Sequence, residues 1–445
     1  MTMADVEVEV VSSDTVKPSS PTPDHLRHYK LSFLDQIQVP VFMPLVLFFP
    51  RDDDVSLDEK RGRIRQALAK ALTQFYPLAG RVRDNLYVDC NDEGALYVEA
   101  RVRCELSDIL ENPVPRVLNR FLPRQIDDVQ DLAVAVQVNF FECGGLALSL
   151  LISHKVADAL SYFTFLNSWA ATARGDTDII DPCFSSSELF PPINLSGFQT
   201  STGIVKDNIS TRRFVFDAAT IASLREQFTD LNDAAAAATT VDHQRSRPTR
   251  VEALSSFLWS RYMASTQPID TRGDKLYTVL HAVNLRTRME PPMSGHHFGN
   301  ISRLAITVPT KDAVVDGGHK IVHQVREAIK QVDGEHIKKL QDGKGYLNWL
   351  KERSARISQG EVVSFSFTSL CRFPIYEADF GWGKPTWVGS ASLTFKNLVV
   401  FMDTKSGDGI EAWVHLKEDD MAKFEQDKEL LALVSPSVSV KSCAF

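Results

Sequence analysis

Apolar residues after Ser56 recur on one helical face: Leu57, Ile64, Leu68 and Leu72. Ser56 and Glu59 form the Ser-x-x-Glu pattern that opens a helix, predicted to run to about Phe75. From Leu132 to Phe141 the period changes to two, with Val134, Val136, Val138 and Phe140 alternating with Ala135, Gln137 and Asn139. Glu142-Cys-Gly-Gly145 and a second apolar stretch, Leu146 to Ser153, complete a predicted β-hairpin. Beyond Asp158 the helical period returns in Leu160, Phe163, Leu166 and Ala170, and Gly175 is placed to end that helix. A strand therefore delivers the chain into a helix across residues 154 to 158.

The second half carries the same mixture. Phe214 to Phe216 reads as a short strand, and Ile221, Leu224 and Phe228 mark a helix. Thr249 and Glu252 form another capping pattern ahead of Leu254, Phe257, Leu258 and Tyr262. A strand over Leu276–Leu285 and a helix bearing Ile321, Val325 and Ile329 follow. Strands interleaved with helices, without a fixed repeat, predict an α/β chain of mixed α+β layers.

At 445 residues the chain exceeds the size at which one core keeps growing, so two domains are expected. A Pro/Ser-rich lead marks residues 1–22 as a partly disordered tail. The N-terminal domain is expected over 23–185, a crossover linker over the Ser-, Pro-, Asn- and Gly-rich stretch 186–211, and the C-terminal domain over 212–445. Within the last, Asp233–Pro248 is of low complexity and reads as a surface loop.

Composition narrows the function. A formal charge of -8 without a basic stripe argues against nucleic acid and for a small-molecule substrate. The six cysteines are widely spaced and read as free thiols. The acidic start MTMADVEVEV lacks the basic and apolar regions of a secretory signal. Pro40 and Pro44 interrupt the longest apolar run, Val39–Phe49, which is too short to span a membrane. A cytoplasmic protein is expected.

Candidate chemistry starts with two His-x-x-x-Asp spacings, His154/Asp158 and His415/Asp419. His415 precedes the charge run Lys417-Glu-Asp-Asp420, which reads as solvated, whereas His154 ends an apolar strand. Local sequence leaves His154 open between a hydrogen-bonded core histidine and a functional one. His319 and His323, four apart on a predicted helix, lack a third metal ligand, and His296 and His297 read as exposed, so no metal is expected. No Gly-x-Ser-x-Gly elbow, phosphate-binding loop or Gly-x-Gly-x-x-Gly fingerprint occurs.

Read with its neighbours, Ser153-His-Lys-Val-Ala-Asp158 resembles the HxxxD motif of the plant BAHD acyltransferases, and Asp379-Phe-Gly-Trp-Gly383 matches that family's DFGWG motif. Tyr76-Pro-Leu-Ala-Gly-Arg81, Ala282-Val-Asn-Leu-Arg286, Gly299-Asn300 and Met402-Asp-Thr-Lys-Ser-Gly-Asp-Gly-Ile-Glu-Ala-Trp413 extend the resemblance from Lys17 to about Leu433. These segments look most like the branch that acetylates hydroxyls of specialised metabolites.

The resemblance implies two chloramphenicol-acetyltransferase-like domains of similar size with a channel between them. It also implies acyl-CoA, acetyl-CoA by branch, as co-substrate, an alcohol acceptor, no permanently bound cofactor, and a monomer. His154 would be the general base. Asp158 would pair with Arg286 to hold the site, and Asp379, Gly381 and Gly383 would shape the fold around it. The indole of Trp382 is open between an oxyanion or thioester contact and simple packing. Ser255, Gly299 and Asn300 are the matching positions on the CoA side. N-acylation of an amine, an amide-forming condensation domain and an inactive ligand-binding homologue are the competing readings. Ser153 stands where condensation domains carry the first histidine of their motif.

Overall fold

The predicted hairpin forms: β7 (Val134–Phe141) pairs antiparallel with β8 (Leu146–Ser153). Every residue of both strands is buried, so Gln137 and Asn139 do not face water as simple alternation would have them. Their amides are satisfied internally, Gln137 Nε2 donating to Asn139 Oδ1 (2.7 Å) and Asn139 Nδ2 to the Phe121 and Ala147 carbonyls. The computed structural model describes residues 6–200, 208–229, 247–266, 275–310 and 318–435. Nearly all of the expected loop Asp233–Pro248 lies outside the described residues.

Numbered along the chain, the remaining strands are β1 (Val8–Val16), β2 (His28–Lys30), β3 (Phe42–Phe49), β4 (Arg81–Arg83), β5 (Tyr87–Asp89), β6 (Ala95–Val102), β9 (Ile209–Phe216), β10 (Leu276–Asn284), β11 (Ser302–Thr307), β12 (Val362–Ser369), β13 (Trp387–Gly389), β14 (Leu398–Asp403) and β15 (Ile410–Lys417). They build two six-stranded mixed sheets, β1-β6-β7-β8-β3-β13 and β11-β10-β12-β14-β15-β9, with a small sheet β2-β5-β4. The principal helices are α1 (Phe33–Gln36), α2 (Leu57–Gln74), α3 (Ala159–Arg174), α4 (Ala218–Gln227), α5 (Arg250–Thr266), α6 (His319–Lys330), α7 (Gly334–Asp342) and α8 (Lys344–Ser358).

Local chemistry explains the helix ends. Ser56 Oγ accepts the Glu59 amide at the start of α2, but the Glu59 carboxylate turns to Arg63, so only half of the expected capping box forms. The box at Thr249 and Glu252 is complete. Asp158 caps α3 by accepting the Ser161 amide, and Gly175 ends it at φ +84°, a conformation that strains any residue with a Cβ.

Two expectations about organisation are corrected. Val8–Val16 is not part of a disordered tail: it is the edge strand of the first sheet, paired with β6. Its exposed polar and apolar residues give no burial pattern, so only its partner reveals it. The DFGWG stretch also does not sit within an independent C-terminal domain. β13, just after it, pairs with β3, and Ile375, Ala378, Phe380, Trp382 and Trp387 join the core of the first sheet. The chain thus returns to the N-terminal layer before completing the second sheet with β14 and β15.

Candidate active site

β8 ends at Ser153, and the next amide, His154 N–H, donates to the Val41 carbonyl (2.8 Å) just before β3 begins. The chain then turns through 154–157 into α3. Within that turn His154 Nδ1 lies 3.0 Å from the Ala157 carbonyl. A carbonyl only accepts, so Nδ1 carries the proton and Nε2 keeps its lone pair. His154 as a residue is half-buried, while Lys155, Val156, Ala157 and Asp158 around it are buried. Burial pushes the imidazole pKa down, against the pull of the Ala157 carbonyl and Asp158, with Lys155 adding to the fall. A neutral imidazole with an open Nε2 is a competent proton acceptor near neutral pH.

Asp158 makes no hydrogen bond to His154 among the described residues. Its Oδ2 accepts from Arg286 Nη1 (2.7 Å) and the Ile301 amide (3.0 Å), and its Oδ1 from Arg286 Nη2 (3.2 Å) and the Ser161 amide (3.0 Å). Burial alone would raise this carboxyl, but the guanidinium and the two amides outweigh it and hold the pKa below the usual carboxylate value. Arg286 is held in turn by the carbonyls of His297 (2.9 and 2.8 Å) and Gly299 (3.1 Å). A second brace comes from Asn300, whose Nδ2 donates to the His154 carbonyl (2.8 Å) and to Asp35 Oδ1 (2.8 Å).

Part of the second sheet near this loop is accessible. β10 pairs with β11 as far as Asn284 but with β12 only as far as His281, and Ala282, one residue past that ladder, is exposed. By strand alternation Ala282 points away from the face bearing Val279, which packs into the core. Ala282 pairs with Leu304, and the buried Leu280 with Ile306 and Ser366, so these side chains share one face of the sheet. Leu304, Ile306 and Ser366 are half-buried. Four residues beyond Ala282 comes Arg286, the partner of Asp158 at the end of the loop that carries His154.

Several sequence expectations take different places. Ser255 is fully buried, its hydroxyl donating to the Glu252 carbonyl (3.2 Å) and lying 2.9 Å from His281 Nε2. Gly299 and Asn300 are likewise internal, bonded to Ser161, Arg286, Asp35 and the His154 carbonyl. Gly299 and Asn300 brace the loop of His154 from within, Ser255 lies in the core behind the second sheet, and all three are buried.

Trp382 is corrected on distance. Its ring packs 6.2 Å from Phe49 and 5.7 Å from Phe380, and Phe49 pairs with Leu146, whereas Ser153 pairs with Phe42 at the other end of β3. Seven strand residues at about 3.3 Å each, roughly 20 Å, separate the Phe49 end of β3 from the Phe42 end beside Ser153, and the indole packs at the Phe49 end. Asp379 closes the turn below it, Oδ1 accepting the amides of Gly381 (2.8 Å) and Gly383 (3.0 Å), both at positive φ. The Gly381 and Asp379 carbonyls accept from Arg63 and Arg174, fastening the turn to α2 and to the far end of the helix that Asp158 caps.

His415 is not solvated. It lies fully buried on β15 with Nδ1 2.9 Å from Thr211 Oγ1, and burial drives its pKa to about 3. Strand pairing with β9 and β14, not local charge, decides its environment. His319 and His323 are exposed, and no group of three or more potential metal ligands occurs among the described residues. No helix among them is long and apolar enough to cross a membrane. Sequence reading misses Asp35 and Lys155, although Ser32-Phe-Leu-Asp35 spells the capping box that forms there.

Residues 6–431 match the Transferase family. Stemmadenine O-acetyltransferase of Catharanthus roseus is 38% identical, covering 95% of this chain and 97% of that protein. Limonoid 21-O-acetyltransferase of Melia azedarach is 35% identical, covering 98% and 100%. The crystal structure of vinorine synthase superposes with a TM-score of 0.81 at 35% identity, covering 98% of this chain and 100% of that one. BAHD acyltransferases use acyl-CoA as co-substrate, and in this chain Asp158 and Arg286 meet in a buried ion pair. With both sheets, the ion pair and the two motifs in place, the chain belongs to the Transferase family of plant BAHD enzymes and is an acyl-CoA-dependent acyltransferase.

Proposed function

We propose that this enzyme acetylates a hydroxyl of a plant alkaloid or terpenoid from acetyl-CoA by direct transfer within a ternary complex, with His154 as general base. The observation that carries the reading is the 3.0 Å contact of Nδ1 with the Ala157 carbonyl, which assigns the ring proton to Nδ1 and leaves Nε2 to take another. The neutral alcohol is a weak nucleophile. Nε2 accepts its proton as the oxygen attacks the thioester carbonyl, and collapse of the tetrahedral intermediate expels the CoA thiolate, which takes the proton from Nε2. No acyl-enzyme forms. Asp158 acts through shape, since its oxygens are occupied by Arg286 and two amides.

The accessible strip Ala282, Leu304, Ile306 and Ser366 supports a largely apolar acceptor lying on the second sheet. The names of the similar enzymes support acetyl as the acyl group. The test is release of free CoA thiol from acetyl-CoA across a panel of alkaloid and terpenoid alcohols and matched amines. Turnover confined to alcohols is expected; preference for the amines overturns the O-acyl assignment, and an isolable acyl-enzyme overturns direct transfer.

A further inference from the structure

The residue after the histidine carries a feature that the mechanism above does not use. Lys155 is buried, with 6% of its surface exposed, and its Nζ donates to the carbonyls of Gln36 (2.8 Å) and Gln38 (2.9 Å). Those are carbonyls at the C-terminal end of the short helix α1, where partial negative charge favours a cation. The other end of the same helix is fixed by Asp35, which accepts from Ser32 and from Asn300, and Asn300 Nδ2 holds the His154 carbonyl. The His154 peptide is therefore tied to α1 twice, once through Asn300 and once through the side chain that follows it.

We infer that Lys155 is a positioning residue for His154, anchoring the loop to α1 and keeping the imidazole unprotonated through its neighbouring positive charge. This rests on the reading of His154 as general base. The charged groups facing the loop are Lys155 itself, Asp35 from α1, Asp158 from the start of α3 and its partner Arg286. Arg286 is neutralised by Asp158 at 2.7 Å, whereas the hydrogen-bond acceptors of Lys155 are carbonyls. Burial brings the lysine pKa down to about 7, against the pull of Asp35. Below that pH it is cationic, over the range in which a histidine of reference pKa about 6.5 would protonate, so its charge opposes protonation of His154.

The experiment compares the wild type with Lys155→Met, which keeps the chain length and removes charge and donors. The rate at which diethyl pyrocarbonate modifies His154, followed on its own peptide by mass spectrometry, reports the neutral imidazole against pH and needs no acceptor. An upward shift of the His154 titration is expected in Lys155→Met, together with a loss of turnover at pH 6 that is largely recovered at pH 8. A lysine that only stabilises the loop lowers the melting temperature and leaves the titration where it was, and that result overturns the inference. If Lys155→Met does not fold, nitrogen NMR of histidine-labelled wild-type enzyme reads the same coupling. His154 must then respond a second time as Lys155 titrates near pH 7, and a single titration overturns it. Neither readout depends on turnover, so failure of the base assignment, seen as an active His154→Ala enzyme, is distinguished from failure of this one.

Discussion

The Asp158 carboxylate and the Arg286 guanidinium meet in a two-pronged contact, 2.7 and 3.2 Å, with 5% and 1% of their side chains exposed. The pair joins the cap of α3 to the segment following β10 and so ties the first sheet to the second. Replacing Asp158 with alanine leaves a buried guanidinium without its counter-charge and is expected to destabilise the fold by about 3 to 5 kcal/mol. A large fall in melting temperature, with activity lost in parallel, is the predicted result. Unchanged melting with no turnover would contradict it and favour a chemical role. The pH sign follows from the depressed carboxyl: stabilisation is complete above the unfolded carboxyl's value of about 3.9 and is lost as pH falls through the lower folded value. His154→Ala, whose thermal curve should change little, is the control.

His154→Ala is expected to slow turnover by about 100- to 10,000-fold, the usual contribution of a positioned general base. Its melting temperature should hold, because among the described residues the side chain makes a single hydrogen bond, to the Ala157 carbonyl. Since burial lowers the pKa, the wild-type kcat/KM profile should lose activity on the acid side only below the ordinary histidine value of about 6.5. Steady-state rates across pH 5 to 8 check both points.

Trp382→Phe should leave turnover within a few-fold of wild type. The indole packs against Phe49 and Phe380, at the end of β3 remote from His154, and its Nε1 finds no partner among the described residues. Phenylalanine keeps most of the ring contact and removes an unsatisfied buried donor. Turnover slowed by about 100-fold or more, with melting temperature and KM unchanged, would restore the oxyanion role that the geometry removes.

What can be read from sequence divides along physical lines. Helices α2, α3 and α5, the β7–β8 hairpin and the turn holding His154 follow from period and capping within some twenty residues, and all are legible. The Asp158–Arg286 pair spans 128 positions and comes only from the resemblance. Pairing across long separations stays hidden, as in β13 joining β3 or β1 joining β6, because no local pattern records a partner. The same limit misplaces His415, whose charged neighbours suggest solvent while two flanking strands bury it. For Trp382 it is the strand register separating the indole from His154 that no motif carries.

Ala282 offers a test of the proposed acceptor surface. It is exposed just past the β12 ladder, and its pair Leu304, half-buried, lies beside it on the same face. Substitution by phenylalanine adds a ring to open space, not to the core, which packs against the opposite face. The backbone pairing of Ala282 with Leu304 is untouched, and an aromatic residue suits a strand, so the melting temperature should move by no more than a few degrees. Turnover of a bulky polycyclic alcohol should fall about tenfold or more, as its surface is excluded from this face, while a small alcohol is less affected. Equal rates for bulky and small alcohols in Ala282→Phe would mean that the acceptor does not lie on this face.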